Sequence, residues 1–130
     1  MDFYLKDGGI RTHFPYGELD ISGNENYGYR PFQLMVASVA GCSGSVFRKI
    51  LEKKRIKIDD FKISAEVKRK PDEANRIESI DLHYVVKGVH LDREKLEKSL
   101  EIARNNCSMI RTIEKSVKIN ESLEVIQLSN

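Results

Sequence analysis

The feature that most constrains this sequence is an apolar stretch that predicts a helix without a polar face along its first half. Pro31 suits the first helical position, and the helix is expected to run to about Arg55. A helix that is apolar all round is buried rather than amphipathic. A chain of 130 residues has difficulty surrounding such a helix, so we expect a second copy of the chain to help. The apolar side chains concerned are Phe32, Leu34, Met35, Val36, Ala37, Val39, Ala40 and Cys42.

The same stretch does not predict a membrane span. Its uninterrupted apolar run, from Leu34 to Cys42, is short of the ~20 residues that a spanning helix needs, and it contains Ser38. Residues 1–14 lack the basic and then apolar pattern of a secretory signal peptide. We therefore expect a soluble, cytoplasmic protein without a membrane partner.

The rest of the chain mixes strand and helix patterns, which predicts an α+β fold in a single domain over residues 1–130. Asp60–Lys70 and Ile80–Val86 alternate apolar and polar residues, as half-buried antiparallel strands do, with a turn around Pro71–Asn75. The other expected elements are strands at Phe3–Lys6 and Glu18–Ser22, a helix over Arg93–Arg104 capped by Asp92, a short helix from Cys107 to about Glu114, and a closing strand over Val117–Leu128 that a break near Asn120 and Glu121 could interrupt.

Charge and motif content exclude several functional classes. The 22 basic and 20 acidic residues are interleaved, so the net charge is only +2 and no basic stripe for nucleic acid stands out. The densest basic stretch, Lys53–Arg55, suits the end of a helix, where cations favour the dipole. Neither a phosphate loop nor a dinucleotide fingerprint is present. We expect no cofactor and no metal, since zinc-ligand spacing is absent among the two cysteines and the histidines His13, His83 and His90.

The two cysteines are the strongest candidates for chemistry. Cys42 has Gly41 and Gly44 beside it in the predicted helix, where each glycine costs up to about 1 kcal/mol relative to alanine. These glycines indicate either access to the thiol or a seam of small residues where two helices touch. Cys107 lies at a predicted helix start, where free N–H groups lower a thiol pKa. In a reducing cytosol the cysteines are either inert core thiols or a working pair. A Cys–His hydrolase using His83 or His90 has weaker support.

The sequence around these cysteines resembles that of the OsmC/Ohr superfamily, named for osmotically inducible protein C and organic hydroperoxide resistance protein. The run from Pro31 to Ser43 is similar to the helix opening of that superfamily. Ile80–Gly88, an intervening helix, then Asn106–Ser108 and a closing strand follow in the same order. The resemblance covers residues 28–127 and is loose before them. The Ala-Gly-Cys sequence ending at Cys42 is most similar to the YhfA-like branch.

This resemblance implies an OsmC-like intertwined homodimer, with antiparallel sheets wrapped around two long central helices. It also implies that Cys42 is the peroxidatic cysteine and Cys107 the resolving one. The substrate would be a small organic hydroperoxide, and a dithiol or simple thiol would be the reductant. No metal, haem or flavin is implied. The helix start at Cys107 would by itself favour the opposite order of reaction, but small neighbours leave space beside Cys42.

Two positions depart from the family pattern. The Ohr and OsmC proteins pair a glutamate just after the helix-opening proline with an N-terminal arginine that activates the thiolate. Here Phe32 and Gln33 stand at those helix positions, and neither provides a carboxylate. Arg11 is the nearest candidate for the arginine, and Arg30 is a second. Two alternatives to a peroxidase stay open: a dimeric protein that binds a small apolar ligand without catalysis, and a thiol redox sensor or sulfur carrier.

Overall fold

The structure, a computed structural model, describes residues 1–129. These residues form two compact units, one from Met1 to Ala37 and one from Ser38 onward. The family-derived expectation of a mixed α+β fold with two sheets is confirmed. The elements along the chain are β1 (Phe3–Lys6), β2 (Gly9–His13), β3 (Glu18–Ile21), α1 (Pro31–Lys53), β4 (Asp60–Lys70), a 3-10 turn (Pro71–Glu73), β5 (Arg76–Gly88), α2 (Arg93–Asn105), α3 (Ser108–Ile113) and β6 (Lys118–Gln127).

The first unit contains an antiparallel sheet in the order β1-β2-β3. The central strand β2 was not predicted, because only one of its five residues, Ile10, is apolar and no alternation shows. It forms because both neighbours pair with it, Phe3 lying opposite Thr12 and Ile10 opposite Ile21. Pairing on both sides satisfies the backbone groups of β2 and outweighs its weak strand propensity.

Helix α1 begins at Pro31 as predicted and ends at Lys53. Arg55 has a positive φ of 57°, which stops further helical turns. The single chain does not surround the first half of α1, as expected for a chain of this length: Leu34 and Val36 are half-buried and Met35 is 42% exposed. Burial on all sides by a second copy stays a prediction. One stripe of α1 is buried because one chain supplies packing partners on only one side. It consists of Val39, Ser43, Gly44, Phe47 and Leu51.

By length and composition alone, α1 also resembles a membrane-spanning helix. Its most apolar stretch of 18 residues has a mean hydropathy of 1.3. A core helix of a folded domain passes the same test, and Phe47 and Leu51 are only 0% and 2% exposed. Full burial of each such side chain stabilises the folded state by about 1.5–3 kcal/mol.

The second unit contains a sheet in the order β4-β5-β6. The two predicted alternating segments, β4 and β5, pair antiparallel, with Asp60 opposite Lys87. The prediction that both sheets are antiparallel is wrong for β6, which runs parallel to β5. The helices α2 and α3 lie between β5 and β6 in the chain, and such a crossover returns a strand in the parallel direction. No break interrupts β6 at Asn120 or Glu121.

The core of this unit is formed by buried side chains of α1, α2 and β5. The Phe47 ring meets the Tyr84 ring edge-on at 5.2 Å between centroids, and it meets Phe61 at 5.7 Å. Asp92 caps α2 as predicted, accepting a hydrogen bond from the Lys95 N–H. This packing holds the middle of α1 near the start of α3. Other fully or nearly fully buried side chains are Ile80, Leu82, Val86, Leu96, Leu100, Ala103 and Ile110.

Candidate active site

The structure brings the two cysteines together within one chain. Cys42 lies on α1 and is partly exposed, while Cys107 is buried and caps the start of α3. The two thiols share a side-chain hydrogen bond and influence each other's pKa. Both are free thiols. The sulfur of Cys42 also lies 3.6 Å from the Oγ of Ser108.

The pKa of Cys42 is lowered from its ordinary value. Partial burial acts in the opposite direction and is the largest single influence. It is outweighed by hydrogen bonds from the Met109 N–H, from the Cys107 thiol, and from the hydroxyl and N–H of Ser108. Several donors aimed at one sulfur favour its thiolate, which is the nucleophilic form of a cysteine.

The pKa of Cys107 is raised, first because the side chain is buried and also because of its partner Cys42. The N–H of Ile110, whose nitrogen is 3.5 Å from the Cys107 sulfur, works against this rise without reversing it. Local sequence suggested that the helix start makes Cys107 the more acidic thiol. The structure gives the opposite order, because the pKa is lowered at Cys42 and raised at Cys107. Burial outweighs the first-turn N–H groups at Cys107, whereas the less buried Cys42 benefits from them.

The two glycines near Cys42 have different roles. A Cβ atom on Gly44 would lie 2.9 Å from the Cδ1 of Ile63, so this glycine permits close approach of α1 to β4. A Cβ on Gly41 would meet no atom within 4 Å. Sequence analysis left two interpretations of these glycines open. Close packing of small residues applies to Gly44, but the element that α1 packs against there is the strand β4 and not a second helix. Gly41 faces open space in the single chain, and access to the Cys42 thiol through it stays a prediction.

A buried polar network lies next to this dithiol site, and sequence reasoning missed it. The Ser43 hydroxyl donates to the Oε2 of Glu121 over 3.3 Å and shares a short hydrogen bond with the Tyr84 hydroxyl. The Nη1 of Arg104 lies 3.7 Å from the Oε1 of Glu121. One signal was available: in a strand with alternating faces, Glu121 falls on the same side as the apolar Ile119.

The candidate arginines lie in the first unit. The Nε of Arg11 is 2.7 Å from a carboxylate oxygen of Asp20 and 2.8 Å from one of Glu18. The Arg11 hydrogen bond is the main cause that lowers the pKa of Asp20 to about 2. Arg30 places its guanidinium 4.7 Å from the centre of the Phe32 ring. The assignment of Arg11 to the catalytic residues stays a prediction.

The histidines do not join the cysteines in a metal centre. Within residues 1–129, no group of three or more His, Cys, Asp or Glu side chains is arranged to hold a metal ion. His83 lies on β5, where its Nδ1 is 2.6 Å from the Oγ of Ser122. His90 follows β5 in a loop and has a positive φ of 56°.

Several solved structures share this fold. A hypothetical protein from Aquifex aeolicus has a TM-score of 0.87 at 25% identity, over 98% of this chain and 96% of its own. An OsmC-like protein from Mycoplasma pneumoniae has a TM-score of 0.83 at 14% identity, over 97% and 96%. An organic hydroperoxide resistance protein OsmC from Legionella pneumophila, described as a predicted redox protein, has a TM-score of 0.75 at 19% identity, over 95% and 94%. No curated protein matches the chain in sequence.

The family assignment rests on the sequence together with this fold. The model of the OsmC-like protein family matches residues 23–122, which include α1, β4, β5, the first half of β6 and the two cysteines. Within that family, the YhfA-like branch stays a prediction. The agreement of the family model with the resemblance around Cys42 and Cys107 leads to one conclusion: this chain belongs to the OsmC-like protein family.

Proposed function

We propose that this protein reduces small organic hydroperoxides with Cys42 as the peroxidatic cysteine and Cys107 as the resolving cysteine. The observation that carries the proposal is the asymmetry of the two contacting thiols, the pKa being lowered at Cys42 and raised at Cys107. A peroxidatic cysteine has to be a thiolate that substrate can reach, and Cys42 is the more exposed of the two. The name of the Legionella relative, an organic hydroperoxide resistance protein, suggests the substrate class.

The reaction proceeds in three steps. The Cys42 thiolate attacks one peroxide oxygen, the O–O bond breaks, and the leaving alkoxide takes a proton to become an alcohol. Cys42 is now a sulfenic acid. The sulfur of Cys107 then attacks the Cys42 sulfur, which forms a disulfide and releases water. A dithiol or two simple thiols reduce this disulfide by exchange and are themselves oxidised.

We also propose that the working form is a homodimer and that it acts in the cytoplasm. Support for the dimer comes from apolar side chains that the single chain leaves uncovered. Leu5 is 89% exposed and Phe3 is 53% exposed on β1, and Met35 on α1 is 42% exposed. Large apolar side chains that stay exposed in one chain favour a surface that another protein covers, and a second copy would also complete the surroundings of α1.

Peroxide turnover tests the proposal. Purified protein is mixed with cumene hydroperoxide, and consumption is followed with dihydrolipoamide or with a monothiol as reductant. We expect turnover with the dithiol, no turnover for Cys42→Ser, and for Cys107→Ser a reaction that depends on added thiol. Comparing the single variants Arg11→Gln and Arg30→Gln tests which arginine activates the thiolate. We expect the larger loss of turnover for Arg11→Gln.

Two results would contradict the proposed function. One is full turnover by Cys42→Ser. The other is oxidation of both cysteines no faster than that of a free thiol in solution. In the second case, retention of a small apolar ligand by the dimer would favour the binding-protein alternative. The positions of Phe32 and Gln33, where the family has its glutamate, would then give the reason for the lost reactivity.

A further inference from the structure

A groove between α1 and the end of α2 combines apolar and cationic side chains, and the proposed reaction gives it no role. Its volume is about 430 Å³, within the range of about 300–1,000 Å³ that small-molecule sites occupy. Among the residues that the structure describes, no aspartate or glutamate lines this groove. The lining consists of the apolar Val46, Ile50 and Ile102, the cationic Lys49, Lys53 and Lys54, and Asn106.

Two of the cations lie side by side without an acidic partner. Lys49 and Lys53 are four residues apart on α1, so their side chains project from the same face of the helix. Within residues 1–129, neither of them forms an ion pair with a carboxylate. Like charges at this spacing destabilise a helix. The helix dipole accounts for Lys53 in the last turn but not for Lys49, one turn earlier. A bound anion would stabilise this pair of charges.

The third cation is held in position by a buried hydroxyl. The Nζ of Lys54 donates to the Oγ of Ser99 over 3.1 Å. Ser99 is 0% exposed on α2 and donates its own proton to the Lys95 carbonyl over 2.7 Å. Its oxygen therefore serves as an acceptor for Lys54, which holds the ammonium group at the groove. A cation that is already ordered loses less conformational entropy when an anion binds.

The apolar side chains lie toward the dithiol site. Val46 follows Cys42 on α1 by one helical turn, and Asn106 directly precedes Cys107. Lys53 lies about two turns beyond Val46, at the opposite end of the groove. Ile102 is 41% exposed, and Val46 and Ile50 are half-buried. Apolar surface that is rimmed by polar groups in this way is typical of a ligand-binding groove.

We propose that this groove binds an anionic amphiphile, namely a carboxylate that carries an apolar chain. The carboxylate lies among Lys49, Lys53 and Lys54, and the chain contacts Val46, Ile50 and Ile102. A ligand of this class matches both the unpaired positive charge and the exposed apolar surface. The site lies outside the proposed peroxidase reaction and does not depend on it, because binding is measured directly and without turnover.

The test is isothermal titration calorimetry of the purified protein with decanoate below its micelle concentration. Decyltrimethylammonium has the same chain and the opposite charge, and we expect it to bind at least tenfold more weakly. Hexanoate keeps the carboxylate and shortens the chain, which should weaken binding about two- to fourfold for each methylene removed. Added salt should also weaken decanoate binding several-fold, because the cations are exposed and are therefore screened.

Matched variants assign the site to the groove. Lys53→Gln should weaken decanoate binding several-fold, whereas Lys118→Gln, which removes the same charge from an exposed position on β6, should not. Ile102→Gln should weaken the binding of decanoate much more than that of hexanoate. Leu128→Gln is its control, since Leu128 is 40% exposed and does not line the groove. Decanoate should also raise the melting temperature of the wild type, and less so that of Lys53→Gln.

Four results would overturn the inference. They are equal binding of decanoate and decyltrimethylammonium, unchanged decanoate binding by Lys53→Gln or by Ile102→Gln, binding to phosphatidylglycerol vesicles without binding of monomeric decanoate, and a dimer that binds no decanoate because the second copy covers the groove. A protein that binds decanoate through Lys53 but consumes no peroxide contradicts only the peroxidase proposal. An active peroxidase that binds no decanoate contradicts only the present one.

Discussion

The Sγ atom of Cys42 lies 3.6 Å from the Oγ atom of Ser108, the residue that follows Cys107 in the chain. This contact places Cys42 against the first turn of α3, so that the N–H groups of Ser108 and Met109 serve a cysteine from a different helix. The pKa asymmetry of the pair follows from this arrangement together with the deeper burial of Cys107.

The first prediction concerns alkylation of the reduced protein. Cys42 should be modified several-fold faster than Cys107 at neutral pH, because its lowered pKa gives a larger thiolate fraction and its sulfur is more accessible. Ser108→Ala removes one donor and should move the Cys42 profile to higher pH. Ser116→Ala, in the exposed residues after α3, is the control. Faster labelling of Cys107 would contradict the assigned roles.

The second prediction concerns the oxidised intermediate. One equivalent of organic hydroperoxide added to Cys107→Ser should leave a sulfenic acid at Cys42, because the thiol that would condense with it is absent. Dimedone trapping and peptide mass spectrometry locate the adduct. Wild-type protein treated in the same way should instead contain a Cys42–Cys107 disulfide. A sulfenic acid found only at Cys107 in the Cys42→Ser variant would reverse the assignment.

The third prediction compares the two glycines of α1. Gly44→Ala should destabilise the fold by about 1–3 kcal/mol, because its Cβ would press on Ile63. Gly41→Ala meets no neighbour within 4 Å and should stabilise the helix by up to about 1 kcal/mol. Urea denaturation of both variants measures the difference. Destabilisation by Gly41→Ala would show that a second chain occupies the space beside it.

The fourth prediction separates core packing from dimer formation. Val39 is 1% exposed in the single chain, so Val39→Asp buries an unpaired carboxylate at a cost of several kcal/mol and should unfold the protein. Val36 is only half-buried in one chain. Val36→Asp should therefore destabilise the fold strongly only if a second copy of the chain covers Val36. Light scattering and circular dichroism distinguish the cases, and a well-folded wild-type monomer at micromolar concentration would contradict the homodimer.

The fifth prediction concerns acid stability of the first unit. The hydrogen bond from Arg11, with help from Lys6, lowers the pKa of Asp20 from 3.8 to about 2. A lowered folded-state pKa stabilises the fold above pH ~4 and loses that contribution as the pH falls toward ~2. Asp20→Asn should lack this part of the acid transition, whereas Asp7→Asn should retain it. Acid titration followed by tyrosine fluorescence measures the change, and identical curves for Asp20→Asn and wild type would contradict it.

Local sequence alone determined most of the elements around the site. Proline at position 31 predicted the start of α1, alternation predicted β4 with its bounds, and Asp92 predicted the start of α2. These predictions succeed because helix caps and side-chain periodicity act over a few residues. The resemblance around Cys42 and Cys107 predicted the family in the same way, from short runs of residues.

Only the tertiary structure decided what depends on residues distant in sequence. The parallel pairing of β6 required the crossover through α2 and α3, and β2 required two pairing partners. The acidity of Cys42 depends on amide groups of another helix. The buried Glu121 finds its polar partners in Ser43 and Arg104, which are distant from it in sequence. A pKa reflects solvation and neighbouring charges in three dimensions, so no local pattern could have assigned the two thiols their opposite shifts.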